Sequence, residues 1–164
     1  MPDILIRPAT EQDAELLVQF IQDLARYERL SSECKVTSEL IHEHLFGARP
    51  AAEAVIAEYN GQPEGFALFF TTFSTFVAKP SLYLEDLFVN PDMRGKGIGK
   101  ALLLHLVDIA VERGYGRVEW AVLDWNQPAI DFYKNLGAKM MDDWTTCRLT
   151  EDVLQRLATQ EVVA

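Results

Sequence analysis

An almost unbroken apolar strand runs from Leu82 to Val89, is closed by Asn90-Pro91, and leads through a glycine-rich turn into a helical stripe of Ile98, Ala101, Leu102, Leu106, Ile109 and Ala110. Apolar residues on both alternating sets of positions suit a strand buried on both faces of a sheet. The chain therefore reads as mixed α/β. Glu85 and Asp86 interrupt this strand. Burying two carboxylates unpaired is costly. With a strand period of two they point to opposite faces, so they line the same face only if a bulge intervenes.

The remaining elements follow from local pattern. Ile4 to Ile6 form a first strand closed by Arg7-Pro8, and Thr10 with Asp13 reads as a capping box for a helix carrying Ala14, Leu17, Phe20, Ile21 and Leu24. The polar end of that helix, Arg26 to Arg29, reads as fraying into a loop. Thr37 or Ser38 caps a second helix with Leu40, Ile41, His44 and Leu45, ending at Gly47. Ala54 to Tyr59 and Gly65 to Thr72 are strands joined by Asn60-Gly61, a two-residue hairpin signal, with Pro63 able to lengthen the connection. Thr71 to Ser81 reads as a connector broken by Pro80. Val118 to Leu123 is a strand, Pro128 to Leu136 a helix stopped by Gly137, and Trp144 to Leu149 a final strand. Thr150 then starts a helix with Val153, Leu154 and Leu157. All 164 residues read as one domain, 1–164.

Charge narrows the partners. Fifteen Lys and Arg against 25 Asp and Glu give a formal charge of −10, which argues against a basic nucleic-acid face and against an anionic membrane surface. Cys34 and Cys147 form no CxxC pattern, and His42, His44 and His105 lack metal-ligand spacing, so neither a disulfide scaffold nor a metal site is expected. Residues 1–8 lack the pattern of a secretory leader and no apolar run approaches the length of a membrane span. The expectation is a soluble, cytoplasmic protein.

Arg94-Gly95-Lys96-Gly97-Ile98-Gly99 lies between the apolar strand and the long helix. Glycines allow close backbone approach, and a helix N-terminus offers unpaired N–H groups to a phosphate. With Arg94 and Lys96 adding positive charge, a pyrophosphate site is physically sensible. The segment is not a Walker A element, because no Gly-Lys-Ser/Thr ending follows four intervening residues, and its glycine spacing is a poor dinucleotide fingerprint.

These residues resemble the acetyl-CoA signature of the GNAT-type N-acetyltransferases: Arg or Gln, two residues, Gly, one residue, then Gly or Ala. Arg94, Gly97 and Gly99 match it. The resemblance covers essentially the whole chain and is nearest to the diamine (spermidine/spermine) and thialysine N-acetyltransferase branch. It is carried by Ile6-Arg7-Pro8-Ala9-Thr10, Tyr27-Glu28, Tyr83 to Val89, Ala121 to Gln127 and Phe132-Tyr133-Lys134. It implies a single-domain acyl-CoA N-acyltransferase fold, a mixed central β-sheet flanked by helices, and a homodimer whose contacts the apolar segment after Trp144 could supply.

The resemblance also implies roles. Leu87, Phe88 and Val89 offer backbone groups to the thioester and pantetheine arm of acetyl-CoA. Arg94, Gly95, Lys96, Gly97, Ile98, Gly99 and Lys100 wrap its pyrophosphate. Asn126 matches a residue bonded to the pantetheine region, and Tyr133 the tyrosine that protonates the departing thiolate. A phenol keeps its proton at neutral pH yet can give it to a thiolate. Glu85 is the first candidate to take the proton of the arriving ammonium, ahead of Asp86 and Glu28, and all three match residues associated with a cationic acceptor. Other readings stay open: Asp86 pairing with Arg94, Asn126 as a helix cap, and Tyr133 as a packing residue. Polyamine-acetylating relatives carry an acid at the Thr75 position and a tryptophan at Val77, so the acceptor here could be a shorter diamine, a thialysine-like amino acid or another small amine. A protein or peptide acetyltransferase, or a non-catalytic acyl-CoA-binding protein on the same fold, is the alternative function.

Overall fold

The computed structural model describes residues 2–159, and the chain divides into two compact units at the Leu123–Asp124 boundary. The first unit opens with β1 (Ile4–Pro8). The Thr10 N–H donates to the Asp13 carboxylate at 2.7 Å while the Thr10 side chain faces the Asp13 N–H, a capping box that opens a 3-10 turn (Glu11–Asp13) leading into α1 (Ala14–Tyr27). Thr37 accepts from the Leu40 N–H at 3.2 Å and so caps α2 (Ser38–Phe46). Then come β2 (Glu53–Tyr59), β3 (Gln62–Ser74), β4 (Lys79–Val89), α3 (Ile98–Glu112) and β5 (Val118–Trp120). The second unit holds α4 (Gln127–Asn135) and α5 (Glu151–Ala158).

The sheet order is β1-β2-β3-β4-β5, antiparallel except for the parallel β4·β5 pair. Asn60 and Gly61 have φ of 50° and 80°, both in the left-handed region that a type I′ turn needs. Pro63 does not lengthen this turn. It sits opposite Glu58 while Gly65 sits opposite Ala57, so the irregularity is absorbed within the ladder as a bulge.

Helices cover both faces. Leu17, Phe20 and Leu24 of α1 and Ile41 of α2 are buried against Ile56, Phe66 and Phe88, and the Phe20 and Phe66 rings stack at 5.6 Å. The alternate residues Val55, Ala57, Ala67, Phe69 and Val89 are buried as well, and α3 lies on the Val89 side, where a Cβ added to Gly99 would come within 3.7 Å of the Val89 side chain. The buried stripe of α3 is Ile98, Leu102, Leu103, Leu106 and Ala110.

Three expectations are corrected. The connector expected over Thr71 to Ser81 is a hairpin, because the Ala78 N–H returns to the Ser74 carbonyl at 2.9 Å and the Val77 N–H to Ser74 Oγ at 3.2 Å. Pro80 is no breaker there: it lies near the start of β4, where a missing N–H is tolerated, opposite Phe73. The strand expected over Val118 to Leu123 stops at Trp120. Trp144 to Leu149 is not a strand: every residue in it is exposed, and its unit contains no described strand for it to pair with. Among the described residues, no helix is long and apolar enough to cross a membrane.

Candidate active site

The register of β3 against β4 decides where the two adjacent carboxylates stand. Leu68 lies opposite Asp86 and Phe69 opposite Leu84, which leaves Glu85 as the extra residue of a bulge. The condition that lets Glu85 and Asp86 act together is thus met. Glu85 is exposed and Asp86 half-buried. β5 pairs only with Leu82 to Leu84, so beyond the bulge the β5-side edge of β4, Glu85 to Val89, has no strand partner among the described residues. Phe88 and Val89 bury their side chains and leave backbone groups along this edge.

Glu28 joins them from α1. The helix does not fray: the Glu28 N–H reaches the Leu24 carbonyl at 2.9 Å, the Leu30 N–H reaches the Ala25 carbonyl at 2.8 Å, and Arg29 takes a φ of 62°. This is a left-handed helix stop of the kind glycine usually makes. An open cleft of about 210 Å³ follows, lined by the acidic residues Glu28, Glu33 and Asp86 and by apolar Ile21, Leu24 and Leu30. Sequence reasoning missed Glu33, because an arginine at the αL position gives no turn signal and the return of the chain was hidden.

Burial and mutual repulsion raise the proton affinity of the cluster. Burial, then Glu85, then Glu28 pushes the Asp86 carboxyl up to about 7. Burial, followed by Glu85, also raises Glu28. Among the described residues no ion pair reaches Glu28, Glu85 or Asp86. The pairing of Asp86 with Arg94 is not formed. Arg94 Nε instead donates to the Val89 carbonyl at 3.2 Å, and its guanidinium lies 4.5 Å from the Tyr27 ring centroid.

The signature turn follows at the end of β4. Gly95 and Gly97 have φ of 78° and 88°, and a Cβ at either would meet open space. The Ala101 N–H is bonded to the Gly97 carbonyl at 3.0 Å, so the N–H groups of Ile98, Gly99 and Lys100 precede the first intrahelical bond and stay available at the helix N-terminus. The Ile98 side chain is buried, whereas Lys96 and Lys100 are exposed. Exposed backbone donors, open glycine positions and two cations make a cradle suited to a pyrophosphate. Gly97→Ala is expected to weaken CoA binding about five- to thirtyfold, because alanine drives the turn out of the left-handed conformation in the free protein and binding must restore it at roughly 1–2 kcal/mol, with the Kd read by calorimetry.

In the second unit Asn126 Oδ1 accepts from the Ala129 N–H at 3.4 Å and caps α4. Gly137, with φ of 97°, follows the end of that helix. Tyr133 is half-buried on α4, its ring 5.5 Å from that of Phe132. Among the described residues no group of three or more His, Cys, Asp or Glu is placed to hold a metal ion.

Residues 17–138 match the family model described as Acetyltransferase (GNAT) family. Thialysine N-epsilon-acetyltransferase of Sus scrofa is 34% identical over 96% of this chain and 99% of its own. L-ornithine N5-acetyltransferase of Arabidopsis thaliana is 32% identical over 93% of this chain and 86% of its own. A solved integron cassette protein from the mobile metagenome of V. cholerae superposes with a TM-score of 0.80 at 25% identity, covering 96% of this chain and 98% of that one.

Proposed function

This chain belongs to the GNAT family of acetyltransferases, and from that membership we propose that the cluster of Glu28, Glu85 and Asp86 receives the ammonium end of the acceptor while the Arg94 to Lys100 turn receives the pyrophosphate of acetyl-CoA. The reaction is transfer of an acetyl group from acetyl-CoA to the primary amine of a small cationic acceptor. The carrying observation is that three carboxylates gather at one bulge with no protein cation paired to them among the described residues. A ligand ammonium supplies the opposite charge that such a group favours.

In this reading the open edge of β4 at Leu87, Phe88 and Val89 aligns the thioester and pantetheine arm, and Asn126 bonds the same arm. The acceptor ammonium first loses a proton to the Glu85–Asp86 pair; exposed Glu85 passes it to water. The free amine nitrogen then attacks the acetyl carbonyl carbon, the C–S bond breaks as the tetrahedral intermediate collapses, the CoA thiolate takes a proton from Tyr133, and the extra proton on the new amide nitrogen leaves to water, from which the Tyr133 phenolate is reprotonated. Both units act as one acetyltransferase domain, a reading supported by the family match, which runs across their boundary. The homodimer that the likeness implies belongs to the same proposal, with Trp144 (76% exposed) and Leu149 (59% exposed) as apolar surface for it to cover.

The acceptor we propose is a short diamine or diamino acid. Thr75 and Val77 stand where polyamine-acetylating relatives have an acid and a tryptophan, so a long polycation has fewer partners. Glu33 in the cleft offers a partner for a second amino group instead. An acceptor screen with spermidine, putrescine, thialysine, lysine and several peptides tests this. The diamino acids and putrescine are expected to show the highest kcat/KM, and Glu33→Gln to raise their KM about three- to fivefold without moving the CoA Kd. Preference for peptides would overturn the small-acceptor reading.

A further inference from the structure

The signature arginine is expected from its charge to meet the cofactor's phosphates, but its contacts lead elsewhere. Its Nε is committed to the Val89 carbonyl at 3.2 Å, at the end of β4. The guanidinium carbon lies 4.5 Å from the centroid of Tyr27 and 5.8 Å from that of Phe88, both inside the range of a cation–π interaction. Tyr27 is the last residue of α1, and Glu28 follows it at the cap. One side chain thus ties the first residue of the glycine turn, the end of β4 and the end of α1 together.

We propose that Arg94 is a positioning residue for the acceptor side of the reaction, holding Tyr27 and thereby Glu28 in register with the bulge of β4. The inference rests on the reading of Glu28 as an acceptor-binding group. It adds that the first residue of the glycine turn and the end of α1 beside the acceptor cluster are joined through one side chain. The phosphates themselves are left to backbone N–H groups and to Lys96 and Lys100, whose side chains are exposed.

The test separates KM for the amine from Kd for CoA in Arg94→Gln, Arg94→Lys, Tyr27→Leu, Tyr27→Phe and Glu28→Gln. Arg94→Gln and Tyr27→Leu are expected to raise the amine KM about five- to tenfold, with the CoA Kd changed less than about threefold. Arg94→Lys and Tyr27→Phe, which keep a cation and a ring, are expected to recover part of the loss. Amide hydrogen exchange at Glu28 and Leu30, whose N–H groups close the end of α1, is expected to quicken in Arg94→Gln without any substrate present. A tenfold weaker CoA Kd with an unchanged amine KM in Arg94→Gln would make the arginine a phosphate ligand and overturn the inference. If Glu28→Gln raises the amine KM while Arg94→Gln does not, the positioning role fails and the acceptor reading stands. If Glu28→Gln leaves the amine KM unchanged, both fail. Should Arg94→Gln prove too unstable to purify, Arg94→Lys against Tyr27→Leu carries the same comparison.

Discussion

Tyr133→Phe is expected to lower kcat at least about a hundredfold while leaving the CoA Kd within about threefold. The substitution removes one oxygen from a half-buried ring that packs 5.5 Å from Phe132 on α4, so the phenyl ring that remains can keep the packing. What is lost is the hydroxyl proposed to donate the proton. A CoA thiolate leaving without one departs as a poorly stabilised anion, and positioned general acids contribute about 10²–10⁴-fold to such steps. A phenol, with an ordinary pKa of about 10, is protonated at neutral pH and can donate as charge develops on sulfur. Steady-state kinetics at saturating acetyl-CoA and amine, with the Kd from calorimetry, read the two quantities separately. Unchanged turnover would reduce Tyr133 to a packing residue.

Asp86→Asn has the second large expected effect, and it acts with opposite sign on activity and on stability. Burial and the nearby Glu85 and Glu28 charges push this carboxyl up to about 7. In the proposed mechanism the ionised form holds the ammonium and accepts its proton, so kcat/KM for the amine is expected to rise with pH through about 7. The variant should lose that limb and about a hundredfold of the plateau. Stability runs the other way. A carboxyl whose folded pKa lies above its unfolded value contributes fully below about pH 4, and that contribution is lost as pH rises through about 7. The wild-type Tm should therefore fall relative to that of the Asp86→Asn variant across this window, which a series of thermal melts between pH 4 and 8 checks. Glu85→Gln removes one like charge and should move the activity limb to lower pH. An unshifted limb in Glu85→Gln, or a retained limb in Asp86→Asn, would sever the proposed proton route.

Much of the chain was legible because short-range effects determine it. The Thr10–Asp13 capping box, the Asn60-Gly61 turn and the Thr37 cap each depend on a few neighbouring residues, and each is found as read. The helical stripe of α3 follows from spacing alone. So does the cradle at Gly95 and Gly97, where positive φ needs glycine whatever lies around it. Local pattern failed where pairing partners decide the outcome. Trp144 to Leu149 has the composition of a strand but no described strand within its own unit to pair with, and Pro80 reads as a breaker until Phe73 lies opposite it.

By itself, then, the sequence determined an α/β chain with a glycine turn between a buried strand and a helix, a family likeness, and three carboxylates proposed to meet a cationic acceptor. Only the tertiary structure decided that those carboxylates stand close enough to repel one another. Register made the bulge at Glu85, the short β5 left the edge of β4 open, and the left-handed stop at Arg29 brought Glu33 into the cleft beside Glu28. The same long-range placement set the Arg94 guanidinium over the Tyr27 ring. The physical reason is that φ, ψ and side-chain period are properties of a few consecutive residues. Burial, repulsion between like charges and strand register belong to segments far apart in the chain, and they exist only once those segments have met.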